Sequence, residues 1–229
     1  MSKPPHHLLD NILWHTLNGQ HACFAAGTSE ARRYAKGFSP ILGFADAQRP
    51  DFAALLPFCD AGEHFYCSGW TGTAPLGWCI DAEGAMFRMV WDGDLPQVDA
   101  AFTCVRLDGG HAPQALALAT LTNPGPFGLR TIELGEYLGC FEGDRLIAMA
   151  GERMCAGVYR EVSGVCTHPD FQGKGLARHL MNRLIRRQLL AGETPFLHVM
   201  SSNTIAHQLY LRMGFRDYCE TPVRVVSRL

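Results

Sequence analysis

Residues 165–178 read Val-Cys-Thr-His-Pro-Asp-Phe-Gln-Gly-Lys-Gly-Leu-Ala-Arg, a strand that passes through a glycine-rich turn directly into a helix. A chain with this junction has to build α/β layers, because the strand needs sheet neighbours and the helix must bury its apolar stripe against them. Leu176, Leu180 and Leu184 share a face with Ala177, Met181 and Ile185, while Arg178, Arg183, Arg186 and Arg187 fall elsewhere. Gly192 ends the periodicity. Free amides at a helix start bind anions. Here Gly173 and Gly175 clear side chains from the approach, and Lys174 and Arg178 add charge beside the positive end of the helix dipole. A diphosphate fits that description, and so does a structural turn that only lets helix and strand pack closely. Two other phosphate motifs are excluded by the letters. A nucleotide P-loop needs Gly where His168 stands and Ser or Thr where Gly175 follows Lys174, and the dinucleotide fingerprint fails at Arg178.

The rest of the chain falls into two textures. From Ala101 onward the spacing predicts a strand over 102–107, a helix over 112–121 ended before Asn123-Pro124 and Pro126, and a hairpin of 137–141 with 145–153 around Glu142-Gly143-Asp144. A strand over 162–167, the helix 175–190, a strand over 196–200 and a helix over 204–213 stopped by Gly214 follow, then two closing strands within 215–228 broken at Pro222. That order implies a mixed α/β sheet with helices on both faces. Before residue 100 the chain is richer in turn residues, with strands expected at 64–67, 76–80 and 85–91 and an amphipathic turn or two over 51–58. The expectation is a smaller strand-rich domain over 1–100 and a second domain over 101–229.

Composition excludes several function classes. A formal net charge of -2 gives no basic field for nucleic acid. The nine cysteines are odd in number, run from Cys23 to Cys219 and include no C-x-x-C pair, which suits small reduced core residues. His6, His7, Asp10 and His15 interrupt the first residues, so no secretory hydrophobic region is expected there. No apolar stretch approaches the roughly 18 residues that cross a bilayer. His15, His21, His64 and His111 lack zinc-ligand spacing, His6-His7 reads as a solvated terminus, and Arg183, Arg186 and Arg187 read as a solvated helix face. The expected setting is cytoplasmic, with no metal, no nucleic acid and no membrane partner; a homodimer is allowed.

Gln172-Gly173-Lys174-Gly175-Leu176-Ala177 resembles the [RQ]-x-x-G-x-[GA] pyrophosphate loop of the GNAT acetyltransferase superfamily. The likeness extends to Val165-Cys166-Thr167-His168-Pro169, similar to that family's fourth strand and its exit. It also extends to Asn203, Ala206, Leu209-Tyr210 and Gly214-Phe215, similar to its N-x-x-A-x-x-L-Y-x-x-x-G-F helix. It covers roughly 101–229. The resemblance implies a splayed central sheet flanked by helices, with a V-shaped gap between the fourth and fifth strands that takes the pantetheine arm of acetyl-CoA. It further implies that backbone groups of Val165, Cys166 and Thr167 hold the pantetheine and polarise the thioester carbonyl. The loop from Gln172 to Arg178 would bind the pyrophosphate, and Asn203 would touch the cofactor. The strands before residue 100 are compatible with a degenerate copy of the same fold. Lacking the loop, that copy would bind no second acyl-CoA and would shape the acceptor side instead, with Arg130-Thr131-Ile132-Glu133 near the acceptor opening.

Acyl transfer from a thioester to an amine needs a free nitrogen lone pair and a proton for the departing thiolate. Tyr210 is the candidate acid, seven residues and about two turns beyond Asn203 on one helix face. The base is open between His198, which titrates near neutrality, and Glu161, which shares a strand face with Ser163 and Val165. Glu152 is a further carboxylate, and a water chain could replace all three. Cys166 reads as structural rather than as an acyl-enzyme nucleophile. The implied activity is N-acetyl transfer from acetyl-CoA to a primary amine, small molecule or peptide. Its rivals are a CoA-binding sensor without turnover and an enzyme for a longer acyl-CoA.

Overall fold

The computed structural model describes residues 7–229, so His6 lies outside the described residues. The chain opens with two short helices, α1 (His7–Asp10) and α2 (Ile12–Leu17), then a small antiparallel sheet of β1 (Ala25–Gly27), β2 (Ala31–Tyr34) and β3 (Leu42–Phe44). Strands β4 (His64–Ser68) and β5 (Trp78–Trp91) follow; β5 fuses the two strands expected at 76–80 and 85–91 into one. After β6 (Val105–Arg106) come α3 (Ala112–Thr122), β7 (Tyr137–Glu142), β8 (Arg145–Ala156), β9 (Tyr159–Thr167) and α4 (Leu176–Leu190). The chain closes with β10 (Thr194–Met200), α5 (Thr204–Met213) and β11 (Phe215–Arg228).

Eight strands form one sheet in the order β4-β11-β5-β10-β9-β8-β7-β6. The sheet therefore runs across the boundary expected near residue 100. β5 pairs with β10 on one side and with β11 on the other, so the segment before residue 100 supplies one interior strand, β5, and one edge strand, β4, to the main sheet. β11 is one strand rather than two. Pro222 sits opposite Ala85 of β5, one residue before pairing with β4 begins at Val223, and its carbonyl accepts from the Gly69 amide at 3.0 Å, so the ring costs the sheet no acceptor.

Alternation along the strands sends successive side chains to opposite faces, and helices cover both. On one face Leu180, Met181, Leu184 and Ile185 of α4 and Tyr210 of α5 pack on Ile147, Val162, Leu197 and Val199. On the other, Leu9, Ile12, Leu13 and Leu17 of α1 and α2 pack on Met154, Tyr159 and Phe196, and Ala115, Leu118 and Ala119 of α3 on Leu146 and Met149. Arg183, Arg186 and Arg187 of α4 do not form a free solvated face. Arg183 donates to the carbonyls of Asp99 and Phe102, Arg186 to that of Pro96, and Arg187 pairs with Glu136 and Glu152. They fasten the irregular 92–104 segment and β8 to the helix. Among the described residues no helix is long and apolar enough to cross a membrane.

Candidate active site

β9 and β10 run parallel, yet their pairing stops after three residues: Thr194 faces Tyr159, Pro195 faces Arg160 and Phe196 faces Glu161. Beyond that point β9 continues to Thr167 and β10 to Met200 with no pairing between them. Gly164 marks the divergence. Its φ of +61° lies in the left-handed region, and the β8–β9 register slips between Met149/Cys166 and Gly151/Ser163, as a bulge requires. The ring of Tyr137 lies 3.0 Å from where a Cβ on Gly164 would sit, so any larger residue would be both strained and crowded.

The opening between the strands leads into a cavity of about 440 Å³. Ser163, Gly164 and Val165 form its β9 wall, and His198, Val199 and Met200 its β10 wall. Asn203, Ala206 and Tyr210 of α5 also reach it. Asn203 caps α5, its side chain accepting from the Ala206 amide at 3.1 Å. Tyr210 is buried, and burial pushes its phenol up to about 12. The far wall is made by the first half of the chain through Leu13, Ile41, Tyr66, Ser68 and Met86.

At the exit of β9 the turn keeps its anion-binding geometry. Gly173 and Gly175 both have φ +76°, and a Cβ on Gly173 would meet nothing within 4 Å. No side chain caps α4; the first amide bonded back into it is His179, to the Gly175 carbonyl, so amides 173–178 have no backbone acceptor. Exposed Lys174 and Arg178 flank them, Lys174 Nζ lying 4.7 Å from the Phe171 ring centroid. Gln172 reaches back to the Thr167 carbonyl at 3.4 Å, tying turn to strand. Free amides, open space and positive charge together fit a diphosphate.

The two candidate bases are brought together, but in a way that occupies them. Glu161 accepts from Arg153 Nη2 at 2.8 Å and Nε at 3.0 Å, and from His198 Nδ1 at 2.8 Å. His198 Nε2 in turn accepts from Arg88 Nε at 3.0 Å. The His198 side chain is 6% exposed, and burial lowers its imidazole to about 4 despite the Glu161 contact. Although burial opposes it, Arg153 and then His198 hold the Glu161 carboxyl down at about 2. Above pH 4 the row therefore reads Arg88⁺, neutral His198, Glu161⁻, Arg153⁺, and neither candidate has the accessible free lone pair that a base needs. Glu152 is spent elsewhere, accepting from Arg187, Gln188 and the Glu136 amide.

Arg130 and Glu133 do not line the cavity. They form an exposed pair at 2.7 Å, with Arg130 stacked 4.3 Å over Phe38. Arg88, Arg153 and the far-wall residues escaped sequence reading, because nothing in spacing links residues 66 or 88 to residue 198. Gly164 had a signal, an isolated glycine inside a strand. Cys166 is buried, and its thiol is pushed by desolvation to about 11. Cys166→Ala is therefore expected to keep turnover within about threefold, with no acyl-enzyme on intact-mass spectra during turnover. A covalent adduct on Cys166 would contradict direct transfer.

The family described as FR47-like protein matches residues 137–225. A solved structure of a protein from Novosphingobium aromaticivorans, assigned as an acetyltransferase of the GNAT family, is 30% identical. It aligns over 97% of this chain and 99% of its own, with a TM-score of 0.89. A GCN5-related N-acetyltransferase-like protein from Streptococcus suis (14% identity, 95% and 92% coverage) and a Drosophila protein (14%, 96% and 82%) each superpose with a TM-score of 0.60, which extends the fold alone. No curated protein matches the sequence significantly.

Proposed function

The chain belongs to the GNAT acetyltransferase superfamily, and from that premise we propose that it moves an acetyl group from acetyl-CoA to a primary amine by direct attack. The observation that carries this reading is the parting of β9 and β10 after Glu161 and Phe196. It opens the cavity that Tyr210 lines, and the anion-binding turn at 173–178 follows directly from the exit of the same strand β9.

The steps follow from the groups around that opening. The acceptor nitrogen bonds to the thioester carbon while the carbonyl π electrons move onto oxygen. The backbone edge of β9 past Glu161 has no strand partner on the β10 side, so its amides at Val165, Cys166 or Thr167 can donate to that oxyanion. Collapse breaks the C–S bond, and the departing sulfur takes a proton from Tyr210. The nitrogen's own proton restores the Tyr210 phenol, since His198 and Glu161 are engaged with Arg88 and Arg153. Those two serve the site as its rigid floor.

Calorimetric titration with acetyl-CoA tests the first half of the reading. The wild-type protein should bind, and Gly173→Val/Gly175→Val should bind about 100-fold more weakly. That factor corresponds to about 3 kcal/mol, the loss of two charge-assisted amide bonds. Left-handed backbone adds about 1–2 kcal/mol of local strain per residue in an exposed turn, which circular dichroism distinguishes from unfolding. Thiol release with an amine panel tests the second half. A folded wild-type protein that ignores acetyl-CoA would end the proposal.

A further inference from the structure

We infer that the acceptor is a small amine that also carries a carboxylate, and that Arg153 is the residue that selects it. The inference rests on the acetyltransferase reading and adds to it a substrate class.

Arg153 is the only lysine, arginine, aspartate or glutamate among the described residues that line the cavity. An acceptor recognised by a second ammonium, such as a polyamine, would meet no carboxylate there. A carboxylate would meet a guanidinium. Arg153 is held by two bonds to Glu161 and a longer one, 3.4 Å, from Nη1 to the Pro126 carbonyl. These use three of the roughly five N–H donors that a guanidinium offers, so the outer edge keeps donors for a ligand.

The charge behind the wall points the same way. Arg88 is buried, donating to His198, to the Leu9 carbonyl and to Cys219 Sγ. With His198 neutral, Glu161 is the one carboxylate in the row that runs from Arg88 through His198 to Arg153, which leaves that row with one positive charge in excess. The next carboxylate felt by Arg88, Asp10, is exposed and accepts from Tyr218. A surplus cation in a low-dielectric floor favours an anionic group in the cavity above it. Tyr66, Ser68 and Ser163 line the same cavity and bring hydroxyl groups for the remaining polar atoms of such a ligand. Size sets the last limit. About 440 Å³ must hold the acetyl end of the donor as well as the acceptor, so the acceptor is small.

The test compares matched acceptors on the wild-type enzyme: alanine, alaninamide and ethylamine, and the same triplet built on phenylalanine. Thiol release should show kcat/KM at least about tenfold higher for the carboxylate member of a triplet. Arg153→Lys, which keeps the charge beside Glu161 but loses the fork, should raise KM for the carboxylate acceptor about tenfold more than it raises KM for the amide. If that variant does not fold, Arg153→Met/Glu161→Gln removes both charges together and should erase the preference for the carboxylate. Equal or better turnover of amide and ethylamine overturns the inference, as does a preference that survives both variants. Failure of every carboxylate-bearing amine to turn over or to bind overturns it as well. Acetyl-CoA binding, measured beside these, separates the two levels: binding with acetylation of uncharged amines sinks only the acceptor class, and absence of binding sinks the acetyltransferase reading.

Discussion

Tyr210→Phe is expected to lower kcat by about 10²- to 10⁴-fold, the usual contribution of a positioned acid, while acetyl-CoA affinity stays within about threefold. The ring is buried edge-on against Phe215, and the hydroxyl has no hydrogen-bond partner among the described residues. Removing that oxygen breaks no internal bond, so the thermal midpoint should hold and the loss should be chemical. With its phenol at about 12, Tyr210 keeps its proton throughout the working range. A free thiolate, near pKa ~8.5, is the weaker base, so complete transfer from the resting phenol runs uphill by roughly three units. The proton therefore moves as the C–S bond breaks and is replaced from the ammonium that attack has just created on the acceptor nitrogen. The rate should rise with pH as the acceptor amine deprotonates and show no fall from Tyr210 ionisation below about pH 11. Thiol release across that range, paired with calorimetry on the variant, checks both statements. Undiminished turnover in Tyr210→Phe would remove it as the acid.

Local signals carried much of the C-terminal half into view. The turn at 173–175 states its geometry in its glycines, and φ +76° at both is the conformation for which glycine is suited. The periodicities of α4 and α5 located their buried faces because a helix writes its packing within a few turns. Signals that depend on distant pairing did not survive in one dimension. β5 lies between β10 and β11, more than a hundred residues away, so its alternation identified a strand but not a neighbour. A domain boundary drawn at residue 100 from a change of texture thus cut through a continuous sheet.

The same distinction explains the candidate bases. His198 and Glu161 were each legible as titratable residues beside the gap, and both stand there. Their partners, Arg88 on β5 and Arg153 on β8, are fixed by tertiary pairing. A histidine whose two nitrogens are both engaged looks, in sequence, the same as one free to accept a proton. Protonation chemistry is set by who faces the group, and that information belongs to the sheet order.

Glu161→Ala should destabilise the protein by about 3–5 kcal/mol, the cost of stranding buried charge by removing its partner. Arg153 would lose two bonds and its counter-ion, and His198 Nδ1 its acceptor. The wild-type pH dependence follows from the same contacts. His198 titrates near 6.5 when unfolded and about 4 in the native state, so across that window only the unfolded chain gains its proton and stability falls as pH drops. Glu161 continues the decline from its usual 4.5 down to about 2, where the native carboxylate is finally protonated. Both contributions are fully present above about pH 6.5 and are lost in succession below it. In Glu161→Ala the lower part of that decline should flatten, because the carboxylate responsible is gone. Urea unfolding of both proteins at neutral pH, at about pH 4 and at about pH 2.5 resolves the two effects. A variant that melts within about 2 °C of wild type would mean that the row from Arg88 to Arg153 contributes little to stability, and the rigid floor assigned to the cavity would have to be abandoned.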